Sequence, residues 1–323
     1  MKPDYSTILF PPDQIAQLTT DYIKSRRDNK GLGIRIGLPG LDKDFLPLMP
    51  GELMSIIARP GNGKTGFMVQ WARNRSKWLR ENKITDRIVM YITLEQSVEE
   101  LNAFNIAADE RLSITDIARG EINDTQWAAC LKSAVNRNLL PLWNIGYSSM
   151  TKVKQAAIDL ETINGAVDLA RDSTQKQIDI IFVDYLQRMP TKGGPDSKSV
   201  GVSDNLDGLK TLALRMRCPV AVGVQARREV DDTKTHVPDL DDGQWTSNIE
   251  QTSDRVVSLM RPAKYWAEGE ITDALESLRG KRVTKNMMLV YVAKQKLAKD
   301  NFSYMAFFDP EYNKLDELEM RIP

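Results

Sequence analysis

Two patterns of apolar and polar residues alternate along this chain. Short, nearly unbroken apolar runs predict buried strands over residues 53–57, 88–94, 142–145, 178–184, 219–224, 255–260, 287–293 and 304–308, with one more short stretch near Tyr312. Between them lie apolar residues at helical spacing. One helix is predicted through Trp71 and Trp78, and another through Leu206, Leu209, Leu212, Ala213 and Met216. From Val98 to about Arg171 the chain reads as mainly helical, broken near Leu140-Pro141. Strand and helix in alternation predict an α/β fold, a mostly parallel central sheet flanked by helices.

A separate element precedes this body. After a loose or strap-like start over residues 1–10, Ile15, Leu18, Tyr22 and Ile23 fall at i, i+3, i+7 and i+8, forming one apolar stripe on a helix that opens at Pro12. The charged run 24–30 and Gly31-Leu32-Gly33 then cut it off. Residues 1–30 are therefore read as a strap and linker helix, and residues 31–323 as the main domain. The stripe must be buried somewhere, either on its own domain or on a neighbouring subunit.

The chemistry begins where the first strand ends. Ala58-Arg59-Pro60-Gly61-Asn62-Gly63-Lys64-Thr65-Gly66 joins strand to helix, and strand, glycine loop, Lys-[Ser/Thr] and helix together form a phosphate-binding arrangement. Gly61 and Gly63 let backbone N–H groups turn inward onto phosphate oxygens, where the helix N-terminus adds partial positive charge. Lys64 would reach the β- and γ-phosphates of ATP, and Thr65 would offer a hydroxyl to Mg²⁺. Ala58 replaces the first glycine of the usual pattern and is tolerated at negative φ.

Three later strands deliver polar residues at their carboxyl ends, where ligands of open parallel sheets sit. Glu95 follows the strand 88–94 as a candidate base for an attacking water; alternatively it caps the helix that begins near Ser97. Asp184 ends a run of branched and aromatic residues and would hold Mg²⁺. Gln225 ends the strand 219–224, where an amide can sense the γ-phosphate. The segment 190–198, with Lys192 and Lys198, is a flexible loop, either solvated or reaching a polymer.

Composition narrows the choices. Lys plus Arg and Asp plus Glu both total 44, so no global basic field marks a nucleic-acid binder, and contact with a strand must come from a local patch or from symmetric assembly. One histidine, His236, excludes His triads and multi-His metal sites, while the two distant cysteines form no metal knuckle. A reducing cytoplasm is the expected compartment. No run approaches the roughly 18 apolar residues that span a bilayer, and the N-terminus is not read as a signal peptide.

With these residues in order, the chain from about Gly31 to Asp316 resembles the ATPase domain of DnaB-type replicative helicases, a branch of the RecA-like fold. The resemblance rests on Ala58-Arg59-Pro60-Gly61-Asn62-Gly63-Lys64-Thr65, Thr93-Leu94-Glu95-Gln96-Ser97, Asp184-Tyr185-Leu186-Gln187, Gln225 with Arg228, and Ile249-Glu250-Gln251 with Asp254. It implies a hexameric ring with ATP between neighbours and single-stranded DNA in the pore, moved 5′ to 3′. It also implies a linker helix docked on the adjacent subunit, and a primase or loader as partner. The family's Lys-Gln-Arg, whose last residue reaches the neighbour's γ-phosphate, stands here as Lys294-Gln295-Lys296, and lysine lacks the planar fork of arginine. The family's Asp-Leu-Arg-Glu-Ser-Gly stands as Asp239-Leu240-Asp241-Asp242-Gly243, an acidic stretch unfavourable beside phosphates. The backbone around Gly243, with Lys192, Lys198 or Arg228 supplying charge, would then have to hold the strand. The family's amino-terminal scaffold domain is absent from the sequence, as in a stripped-down phage or mobile-element version. A different class also fits: an ATP-switched assembly or loading protein of RecA, RadA or KaiC type that unwinds nothing.

Overall fold

Every residue of β1 (Leu53–Ala58) is buried, as a strand covered on both faces requires. Its side chains alternate between two cores. Leu53 and Ile57 pack with the helices of one face, and Met54, Ile56 and Ala58 with the other. β4 (Gln177–Asp184) repeats this, with Ile181 and Val183 on the first side and Ile180 and Phe182 on the second. The computed structural model describes residues 9–28, 33–152, 154–191, 197–244, 248–274 and 278–317.

One nine-stranded sheet runs in the order β3-β2-β4-β5-β1-β6-β7-β8-β9. The first six in that order are parallel: β3 (Leu142–Ile145), β2 (Arg87–Thr93), β4, β5 (Val220–Gln225), β1 and β6 (Arg255–Met260). β7 (Met287–Gln295), β8 (Phe302–Asp309) and β9 (Lys314–Glu317) then turn back as an antiparallel meander. The expected mostly parallel sheet is therefore present. Its last strand starts just after Tyr312, because Asn313 takes a left-handed φ of 46° and completes a turn there.

α2 (Lys64–Glu81) lies over one face, with Trp71 edge-on to Phe67 and Phe182 and its indole N–H donated to the Arg35 carbonyl at 2.7 Å. α6 (Leu160–Thr174) and α7 (Lys198–Met216) cover the other face. The region expected to be mainly helical is broken more often than its periodicity implies. α3 (Val98–Glu110) and α5 (Asp124–Arg137) each open on a capping box, from Ser97 and Asn123. The short α4 (Ile114–Arg119) stops at Gly120, which adopts the left-handed conformation. Asp179, fully buried at the start of β4, is gripped by Arg75 at 2.6 Å and Arg87 at 3.2 Å, which pins the sheet edge remote from the phosphate loop.

α1 (Pro12–Asp28) stands apart. Ile15, Leu18, Tyr22 and Ile23 are all exposed, so the stripe is not buried on its own domain. A second uncovered stripe runs along α5, where Trp127, Leu131 and Val135 repeat at the four-residue helical spacing. Among the described residues no helix is long and apolar enough to cross a membrane.

Candidate active site

The phosphate loop leaves β1 at Ala58 and enters α2 at Lys64. Gly61 and Gly63 sit at φ 75° and 86°, conformations that L side chains rarely adopt. A Cβ on Gly63 would also strike Met288 and Phe308, and one on Gly66 would strike Phe308 and Asn313, so the meander β7–β9 supports the loop from behind. Thr65 lies in the first turn of α2.

Lys64 and Asp184 meet. The ammonium lies 2.6 Å from Asp184 Oδ1 and 4.1 Å from the centre of the Tyr185 ring. Gly223 on β5 makes room for it, since a Cβ there would stand 3.0 Å from Lys64 Nζ. Asp184 Oδ2 accepts a hydrogen bond from the Tyr91 hydroxyl at 3.2 Å. Burial, followed by the adjacent carboxylate, raises the Tyr91 hydroxyl well above its ordinary value, so Tyr91 remains a donor.

Glu95 stands one bend beyond β2, whose Thr93 is in register with Asp184. The Leu94 N–H donates to the Asp184 carbonyl at 2.9 Å, which ties this segment to the end of β4. The Glu95 carboxylate is 3.5 Å from Arg188, and both side chains are about half exposed, at 47% and 54%. Ser97, not Glu95, caps α3, with Glu100 as its capping-box partner. The Glu95 carboxylate is therefore not engaged in capping.

Gln225 is in register with Ala58. Its backbone is clamped by the buried Gln187, which accepts the Gln225 N–H at 3.0 Å and donates to the Gln225 carbonyl at 3.3 Å. The same Gln187 amide donates to the Gln244 carbonyl at 2.9 Å. One side chain thus joins the ends of β4 and β5 to the loop that precedes α8 (Ile249–Thr252).

Several expected site residues have other tasks. Arg59 does not turn toward the phosphate loop; its guanidinium grips Asp231 at 2.7 and 2.9 Å and donates to the Ala226 carbonyl at 3.0 Å. Asn62 is buried, accepting the Arg261 N–H at 2.7 Å and donating to the Tyr265 hydroxyl at 3.2 Å, so its side chain braces the loop. His236 is stacked on Tyr265, with ring centres 4.3 Å apart.

Lys294 and Lys296 are not in their own chain's site. Antiparallel β7 carries them to the start of β6, where Gln295 pairs with Arg255. That is the opposite end of the sheet, about 20 Å along the strands from the phosphate loop. Lys294 donates to the Glu250 and Ser253 carbonyls, the latter at 2.9 Å, and Lys296 lies 2.7 Å from Asp254.

The acidic loop is quieter than its composition implies. Asp242 is buried, accepting from Arg227 Nε at 2.7 Å and from the Asp239 N–H at 2.8 Å, so it shapes its own loop. Asp241 is 78% exposed and keeps its charge at the surface. Gly243 is buried in a bridge to Ala226 against Ile249, so it does not offer its backbone to a strand. Arg228 is exposed at the head of a short 3₁₀ turn, and Lys198 begins α7. Lys192 lies outside the described residues.

Sequence reasoning missed Tyr91, Arg188, Gly223 and the wall formed by Arg261 and Phe308. The Arg261 guanidinium lies 5.7 Å from the Phe308 ring centre, beside the phosphate loop. A tyrosine hydroxyl inside the apolar strand 88–94 and a charge inside Leu186-Gln187-Arg188-Met189 were the available signals.

Glycine loop, Lys64–Asp184 pair, Glu95 and Gln225 converge on the carboxyl edge of one parallel sheet, which defines a phosphate-loop nucleotide-binding domain of RecA-like architecture. The chain belongs to the DnaB-like helicase C terminal domain family, whose profile matches residues 33–317. It is 26% identical over 250 residues to the replicative DNA helicase DnaB of Buchnera aphidicola, covering 77% of this chain and 51% of that protein. It is 25% identical over 306 residues to the replicative DNA helicase DnaC of Bacillus subtilis, covering 94% and 61%. The chain thus spans about half to three fifths of the relatives it matches. Among solved structures, the ATPase domain of G40P superposes with a TM-score of 0.78 at 21% identity, over 96% of this chain and all of that one. A DnaB-like replicative helicase studied with primase gives 0.75 at 22% identity, over 94% and 66%.

Proposed function

We propose that this chain is the ATP-hydrolysing motor of a DnaB-like DNA helicase acting on single-stranded DNA. The observation that carries the reading is the convergence of Lys64, Asp184, Glu95 and Gln225 on one sheet edge, in family chain order. The residues fit ATP and Mg²⁺. Gly61 and Gly63 hold the left-handed turns a phosphate cradle needs, and Thr65 with Asp184 offers the hard oxygens that magnesium takes. Bound magnesium would neutralise charge on the phosphates. Lys64 would then exchange its carboxylate partner for the phosphates, Glu95 would orient the attacking water, and Gln225 would report the γ-phosphate through the Gln187 clamp to the loop at 239–244.

The site is completed by another copy. Lys294 and Lys296 lie too far from their own phosphate loop to serve it, so they act in trans, in a ring expected to be hexameric. The α1 stripe of one subunit would seat on the uncovered α5 face of the next. Exposed Arg228 is offered to DNA in this reading, with Lys198 and Lys192 as further candidate cations, while the buried Gly243 is not. Movement 5′ to 3′, a primase or loader partner and a cytoplasmic location are part of this proposal, by analogy with the family.

The second reading, an ATP-switched assembly or loading protein, is favoured by exposed Asp241 and by lysine in place of the finger arginine. A forked-duplex assay separates the two. ATP-dependent strand displacement supports the motor, whereas DNA-bound rings with turnover but no displacement support the switch.

A further inference from the structure

Glu95 is held firmly at its backbone and by a single contact at its side chain. The Leu94 N–H bond to Asp184 and the Thr93 hydroxyl bond to the Gln96 carbonyl, 2.7 Å, fix the bend. The side chain extends half exposed from that bend, and among the described residues the Arg188 guanidinium is the one group bonded to its carboxylate. A carboxylate that orients water must stay in one rotamer, and a flexible glutamate in solvent does not do so unaided.

Arg188 is well placed to hold it. It ends the 3₁₀ turn Leu186–Arg188 that follows Asp184 directly, and its neighbours Leu186, Gln187 and Met189 are buried. Its backbone N–H closes the turn on the Tyr185 carbonyl at 3.0 Å, and its guanidinium also meets the Tyr185 hydroxyl. A rigid base therefore presents a planar fork, and the fork engages Oε1 alone, leaving the second carboxylate oxygen for water.

We infer that Arg188 is a positioning residue for hydrolysis, anchoring the Glu95 carboxylate in cis. The inference rests on the reading of Glu95 as the residue that orients water. A half-exposed ion pair contributes little to folding, so its effect belongs in turnover and not in the melting temperature.

The test is steady-state ATP turnover of the full chain with Mg²⁺, with melting curves recorded alongside. Arg188→Ala should lower kcat about tenfold with KM for ATP and the melting midpoint unchanged, as expected when an orienting contact is lost. Arg188→Lys should recover part of the loss. In a Glu95→Asp background, where the shortened side chain no longer reaches the guanidinium, Arg188→Ala should have little further effect. An unchanged or raised kcat in Arg188→Ala overturns the inference, as does an equal loss in the Glu95→Asp background or a loss that appears in KM. Glu95→Gln separates the two levels. If it keeps full turnover, the reading of Glu95 fails and this inference with it; if it abolishes turnover while Arg188→Ala is silent, only the inference fails.

Discussion

Replacing Lys64 by methionine should destabilise the nucleotide-free protein as well as silence it. The ammonium lies 2.6 Å from Asp184, and the two side chains are 12% and 6% exposed. A buried pair of this kind adds little net stability, because desolvation of both charges offsets their attraction. Removing one partner is different. Asp184 would keep the Tyr91 hydroxyl but lose its counter-charge in a largely dry pocket, at a cost of about 3 kcal/mol. At about 2 °C per kcal/mol for a domain of this size, the melting midpoint should fall by about 6 °C. Lys64→Met with Asp184→Asn removes both charges and should return most of that, to within about 1 kcal/mol of the parent. The assay is a nucleotide-free thermal or urea melt of the parent, both single variants and the double. Strictly additive losses, or a Lys64→Met protein that melts like the parent, would refute a buried pair at this position.

Other outcomes follow from the same geometry. Lys296→Ala and Lys64→Ala subunits, each deficient alone, should recover partial ATP turnover when mixed, since an interface with an intact Lys64 on one side and an intact Lys296 on the other then forms; no recovery would place Lys296 outside the neighbour's site. Deleting residues 1–27 should shift the assembly to smaller species in sedimentation, and Trp127→Glu on α5 should do the same if that face receives α1. For Asp254, burial acts to raise the pKa, but hydrogen bonds from Lys210 and Lys296 outweigh it and hold the carboxyl below its ordinary value. Its stabilising contribution is therefore full above the unfolded carboxyl pKa of about 3.9 and is lost as pH falls toward the lower folded value. Asp254→Asn should accordingly lower the melting temperature at neutral pH and flatten its decline below pH ~4, as followed by melts across that range. Trp71→Ala, which empties a fully buried site between Phe67 and Phe182, should cost about 3–5 kcal/mol in a urea titration.

The strands were legible because unbroken apolar runs of this length fit only a sheet buried on both faces, and the loop at 58–66 because its glycines precede Lys-Thr. Asp184 and Glu95 could be read as strand-end residues for the same reason. What the sequence hid was the partner of each side chain. Arg59 and Asn62 sit inside a phosphate-binding motif, yet they are drawn to Asp231, Arg261 and Tyr265, residues roughly 170 to 200 positions away. Asp242 looks like repulsive surface charge until Arg227 is seen beside it. Tyr91 reads as strand filler because its hydroxyl finds Asp184 only across the β2–β4 pairing. The helix breaks at Gly120 and Asn123 depend on caps that periodicity does not register.

The antiparallel return of β7 gives the molecule a head and a tail. In the proposed assembly one end of the sheet accepts a cation and the other donates it, a contact that a twofold pair can make reciprocally and then stop at two copies. Copies arranged in file instead leave one unmatched end at each terminus, so further copies can add. Such a file either closes on itself or grows into a filament, and the rotation between successive members, which in the proposed assembly is set where α1 seats on its neighbour, decides which.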